Sequence, residues 1–100
     1  MKQIKFTLND DEWEIVLVPQ IDGNPEIFGQ TEYRTQTIYI QNSLKSTQQI
    51  KTLVHELMHC WLWEYGHRQC DNNTFHYEEV CDIIAASHSW IKSIIKEVTS

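Results

Sequence analysis

The hydrophobic period of this chain changes once, at Ser46, and that change limits the fold more than any other feature. Ahead of it, apolar residues alternate with polar ones: Ile4, Phe6 and Leu8 lie on one side, Lys5 and Thr7 on the other, the pattern of a half-buried strand. Beyond it they fall at Ile50, Leu53, Val54, Leu57, Met58, Trp61, Leu62 and Tyr65, one stripe along a helix. Strands that precede helices, rather than alternating with them, imply an α+β fold. The expectation is a single domain over 1–100, with a small N-terminal antiparallel or mixed sheet of about three to four strands packed on two main helices.

The elements follow in order. Asn9-Asp10-Asp11 is a turn signal, so Lys2 to Leu8 and Trp13 to Val18 should form a hairpin closed by Pro19. Ile21 to Gly29 holds two Gly and a Pro and reads as a loop. Thr31 to Tyr33 and Thr37 to Ile40 read as short strands, the second rich in β-formers. Ser46-Thr47-Gln48-Gln49 has the spacing of a capping box, in which Ser46 caps the first helix and Gln49 reaches back. Gly66 is the expected stop. A polar connector from His67 to Phe75 leads to a second helical stripe, Val80, Ile83, Ile84, Ser87, Trp90, Ile91, Ile94, Ile95 and Val98, with Glu78, Glu79 and Asp82 near its start. The tryptophans Trp13, Trp61, Trp63 and Trp90 are expected in the core or at its rim.

Composition narrows the classes of function. A net charge of −6 without a Lys/Arg run argues against nucleic acid as a partner, which needs a basic footprint. Cys60, Cys70 and Cys81 are odd in number and lack CxxC spacing, so free thiols in a reducing compartment are expected rather than a disulfide framework; Cys60 and Cys81 read as small buried hydrophobes. Nothing resembles a signal peptide or a membrane span. The expectation is a soluble cytoplasmic protein with no membrane partner; the sequence does not define its oligomeric state.

The chemistry lies inside the first helix, in His55-Glu56-Leu57-Met58-His59. Residues four apart share a helix face, so His55 and His59 can grip one Zn²⁺ while Glu56 acts as the base toward its water. Both His lie one residue past the stripe positions Val54 and Met58, on the border between core and cleft. A catalytic zinc takes three protein ligands and keeps one position open. Glu78 is the expected third ligand; Asp82, four residues on, could accept a hydrogen bond from a ligand imidazole. Glu79 is the alternative third ligand, about 100° around the helix, ahead of Asp82, His76 and His67. A donor for the oxyanion is open among Tyr77, His76, Tyr65 and His67. His88 reads as a core-edge residue.

These residues also carry a likeness. The run Phe28-Gly29-Gln30-Thr31-Glu32, then Thr37-Ile38-Tyr39-Ile40, then Thr52 to His59, then Glu78 to Asp82 resembles the minimal zinc metallopeptidases of phages and mobile elements, related to the ImmA/IrrE group and more distantly to SprT-type domains. The resemblance implies a zincin frame in which the segment Thr31 to Ile40 lies at a sheet edge and pairs with an extended peptide. It also implies an intracellular protein as substrate, in the host cytoplasm if the chain is phage-encoded. Glu78 and Asp82 match the acids of that group's later helix. Leu62 and Tyr65 stand where metzincins carry Gly and His, which excludes that branch. These 100 residues show no helix-turn-helix and no basic run, so a role on DNA is not expected.

The reading is therefore a zinc metallopeptidase acting on a protein or peptide substrate, with Glu56 as general base. The alternative is a catalytically silent zinc-binding interaction module that sequesters a partner protein. Glu56 separates the two, because a structural zinc site has no need of a base between its ligands.

Overall fold

The computed structural model describes residues 1–66 and 77–100, with the backbone alone at 77–79. Four strands, β1 (Ile4–Leu8), β2 (Asp11–Val18), β3 (Gly29–Glu32) and β4 (Thr37–Gln41), precede two helices, α1 (Ser46–Glu64) and α2 (Tyr77–Thr99). The α+β class read from the change of period is the observed one, and the sheet is mixed. Its order is β1-β2-β4-β3. β1 and β2 form the expected antiparallel hairpin, with Leu8 opposite Asp11. The two residues between them, Asn9 and Asp10, have φ of 51° and 66°, the pair of left-handed residues that a two-residue hairpin turn requires. β4 runs parallel to β2 and antiparallel to β3.

Burial explains this order. β4 is buried on nearly every residue, as suits a strand with neighbours on both sides. β3, Gly-Gln-Thr-Glu, is the polar edge, with half-buried and exposed residues alternating. The sheet edge beside α1 is therefore β3, whereas the resemblance extends that role through Ile40; Thr37 to Ile40 is interior. β3 also begins at Gly29, two residues earlier than its composition suggests.

The core lies between one sheet face and the helices. Phe6, Leu8, Trp13, Ile15, Ile38 and Ile40 meet Leu53, Leu57 and Cys60 of α1 and Ile94 and Val98 of α2. Each fully buried aliphatic side chain contributes about 1.5–3 kcal/mol. Trp90 packs against both Phe6 and Trp61, with ring centroids 5.6 Å apart in each pair. Trp63 stacks on Tyr33 at 4.5 Å, so the tryptophans occupy core and rim as expected. Gly66, at φ +86°, follows α1 and fits the expected stop.

Three local expectations are corrected. Lys45, not Ser46, holds the N-cap position of α1, and no side chain caps it. Gln49 does reach back, but its amide donates to the carbonyls of Asn42 and Leu44 at 3.1 Å each, because Ser46 is already in the first turn. The buried side of α1 is Gln49, Thr52, Leu53, Glu56, Leu57, Cys60 and Glu64, rotated from the apolar stripe, and Tyr65 is 44% exposed. The stripe points between two neighbours, the sheet and α2, and the polar residues on the sheet side are held by hydrogen bonds. Cys60 is buried and free as expected, but Cys81 is exposed, since only Ile83 and Ser87 are buried among residues 80–88 of α2.

Candidate metal centre and active site

The i, i+4 spacing on α1 brings His55 and His59 together, Nε2 to Nε2 at 3.2 Å, with ring planes at 75°. Two Zn–N bonds of about 2.0–2.1 Å at a tetrahedral angle would hold their nitrogens about 3.3 Å apart. The two imidazoles thus already stand at chelating separation. His55 is exposed and His59 half-buried, so one side of the pair remains open.

Glu56 leaves the helix about 100° from His55, toward the sheet, and is buried. Its Oε1 accepts a hydrogen bond from the Thr31 hydroxyl of β3 at 2.8 Å. The same hydroxyl lies 3.3 Å from the Glu56 carbonyl oxygen. Gly29, two residues earlier on the same face of β3, permits this approach: a Cβ there would stand 2.5 Å from Thr52 Cγ2 and 3.2 Å from Glu56 Cγ. Its value lies in its missing side chain. Glu56 also lines an open cleft of about 490 Å³ with His55, Gly29, Thr52, Lys51 and Phe28.

The edge strand presents main-chain groups beside this cleft. The Gln41 backbone N–H donates to the Phe28 carbonyl at 2.9 Å, and Gln30 pairs with Tyr39 in the same register. Alternation in an antiparallel ladder then turns the N–H and C=O groups of Gly29 and Thr31 away from β4, to the free side.

At its far end α1 is tied to the hairpin. The Trp13 indole N–H donates to Glu64 Oε2 at 2.7 Å, and the Asn9 amide donates to the Glu64 carbonyl at 2.9 Å. Burial foremost, with a hydrogen bond and charge from the neighbouring Asp11 carboxyl, pushes the Glu64 carboxyl above its usual range, against the opposing effect of the Trp13 and Asn9 bonds. Burial, helped by Glu64 and Asp11, also pushes the Cys60 thiol up. It stays protonated and is no thiolate ligand.

The remaining expected site residues divide by position. The backbone places Tyr77, Glu78 and Glu79 in the first turn of α2, and their side chains lie outside the described residues, as do His67 and His76 entirely. Asp82 is exposed on α2. Among the described residues no three His, Cys, Asp or Glu side chains converge. His88 is exposed and borders an apolar groove between the helices, lined by Val54, Met58, Leu62, Ile83 and Ile84. Sequence reasoning missed Gly29 as a site residue, and it placed Thr31 in the peptide-pairing segment without its bond to Glu56. A Gly-x-Thr at strand spacing ahead of the motif helix was their signal, and its small and hydroxyl residues share the face that meets Glu56.

A His pair at chelating separation, a carboxylate held beside it, and an open strand edge on an α+β frame define a metallopeptidase-like domain. Comparison with known families agrees. The model of the IrrE N-terminal-like domain family, Peptidase_M78, matches residues 16–91, and the chain belongs to this family. The matched span runs from within β2 into α2 and holds His55, Glu56, His59, Glu78 and Asp82. The membership points to a peptidase. No curated protein and no solved structure matches the chain. Among the described residues no helix is long and apolar enough to cross a membrane.

Proposed function

We propose that this chain is a zinc-dependent metallopeptidase that hydrolyses a peptide bond in an intracellular protein. The observation that carries this reading is the 3.2 Å separation of the His55 and His59 Nε2 atoms beside a buried Glu56 carboxylate. His55 and His59 would hold the ion, with Glu78 as third ligand and Glu79 as its alternative. Asp82 would orient a ligand imidazole. Zinc, when bound, supplies a Lewis acid that makes water more acidic and polarises a carbonyl.

The chain's own residues do the rest. An extended peptide that pairs with the outward groups of Gly29 and Thr31 adds a strand to the sheet. It then lies along the cleft with its scissile bond near Glu56. Glu56 accepts the proton of the attacking water and returns it to the leaving nitrogen. Tyr77 or His76, near the start of α2, would donate to the developing oxyanion. A zinc site that served only the fold would have no use for a carboxylate held in this way.

The test measures zinc content and cleavage of a peptide library by wild type, Glu56→Gln and His59→Ala. Glu56→Gln should keep zinc and lose cleavage, and His59→Ala should lose both. Wild type without zinc removes the site. A Glu56→Gln protein that cleaves at the wild-type rate removes the mechanism.

A further inference from the structure

Thr31 has two roles on one residue. Its main chain faces the free edge of β3, while its side chain crosses to α1 and donates to Glu56 Oε1 at 2.8 Å. The hydroxyl also lies 3.3 Å from the Glu56 carbonyl, so the threonine bridges the main chain and side chain of one residue. A carboxylate on a flexible stem otherwise samples several rotamers. Here one oxygen is fixed by Thr31. The other, Oε2, lies toward Gly29, where a Cβ would come within 3.4 Å of it, and this is the side on which Glu56 and His55 line the cleft.

We propose that Thr31 is a positioning residue for Glu56: its hydroxyl anchors Oε1 so that Oε2 is presented to the cleft beside the His pair. The proposal rests on the peptidase reading above. It adds that the strand which receives the peptide also aims the base, so peptide and base are set against each other by one residue. A misplacement of about 1 Å in such a group costs on the order of 100-fold in rate.

The experiment uses the full chain loaded with zinc, a peptide that the wild type cleaves, and the variants Thr31→Val and Thr31→Ser. Val keeps the shape and loses the donor; Ser keeps the donor. Thr31→Val should lower kcat by roughly 10–100-fold with KM and zinc content unchanged, since the main chain that binds peptide and the His pair are untouched. Thr31→Ser should restore most of kcat. A second measurement needs neither zinc nor substrate. In the metal-free protein, Thr31→Val should lower Tm more in the wild-type background than in a Glu56→Ala background, where only the longer contact to the residue-56 carbonyl is left to lose, because coupled partners give non-additive losses. A zinc-loaded wild type that cleaves, beside a Thr31→Val protein with full kcat, overturns this proposal alone. So does a Tm loss equal in the two backgrounds. A wild type that takes up no zinc or cleaves nothing overturns the peptidase reading and this proposal with it.

Discussion

Replacing Gly29 by Ala should strain the contact on which the site depends. The added Cβ would lie 2.5 Å from Thr52 Cγ2, 3.2 Å from Glu56 Cγ and 3.4 Å from Glu56 Oε2. Carbon atoms in comfortable contact are about 3.5–4.0 Å apart, so the first pair must separate by about 1 Å. Thr52 is buried, and its hydroxyl accepts from the Gln48 amide at 3.3 Å, which resists rotation of the methyl. Overpacking of this kind costs about 1–3 kcal/mol. For a domain of this length each kcal/mol lowers Tm by roughly 4–8 °C, so the loss should be roughly 5–20 °C. The assay is thermal unfolding of wild type, Gly29→Ala, Thr52→Ser and the double variant. Thr52→Ser removes the offending methyl and keeps the hydroxyl, so Gly29→Ala should cost distinctly less in that background. A Gly29→Ala protein that melts with the wild type, or loses the same amount in both backgrounds, would refute the close-approach argument.

Two further outcomes are expected. Because the Glu64 carboxyl is raised in the folded protein, its favourable contribution is complete below the unfolded value, near 4.3, and is lost as pH rises through the folded one. Glu64→Gln should therefore gain in Tm over the wild type as pH is raised from about 4 to 8, and parallel melting curves across that range would contradict the raised carboxyl. Zinc at about 100-fold over its Kd should stabilise the metal-free protein by about 2.7 kcal/mol, read as a rise in Tm that chelator reverses and His59→Ala lacks; an unchanged Tm with zinc would count against the metal centre.

Much of the frame was legible in the chain. The change of period at Ser46 marks the passage from sheet to helices, Asn9-Asp10 sets the hairpin, and Gly66 ends α1, because each depends on neighbours in sequence. The His pair was legible for the same reason: helical spacing puts both rings on one face, where their Nε2 atoms stand 3.2 Å apart. What escaped depends on contacts across the fold. β3 carries a Gly and three polar side chains and has no strong strand signal; it is a strand because β4 pairs with it. Thr31 is 25 positions from Glu56, and Trp13 is 51 from Glu64, so neither partnership leaves a local pattern. Cys81 looked apolar by type, yet its environment is set by how little of the first half of α2 the rest of the molecule covers.

Those long-range polar bonds also decide how α1 is turned about its axis. The apolar stripe from Ile50 to Tyr65 is broad, and packing alone would tolerate rotations of tens of degrees. The sheet-facing side, however, carries Gln49, Glu56 and Glu64, and each has a partner: Asn42 and Leu44 carbonyls, the Thr31 hydroxyl and the Trp13 indole. Among the described residues no buried side-chain nitrogen or oxygen is left unpaired. Rotating the helix by one residue, about 100°, would strand these groups, at about 1–3 kcal/mol or more for each one buried without a partner. The apolar residues hold α1 against the sheet, and the polar ones choose its rotation. With that rotation set, His55 and His59 can only fall on the flank of α1 next to the β3 edge, with Glu56 directed beneath it. The geometry of the His pair is local, but its place beside a strand edge is specified by Thr31, Trp13 and the loop carbonyls before α1.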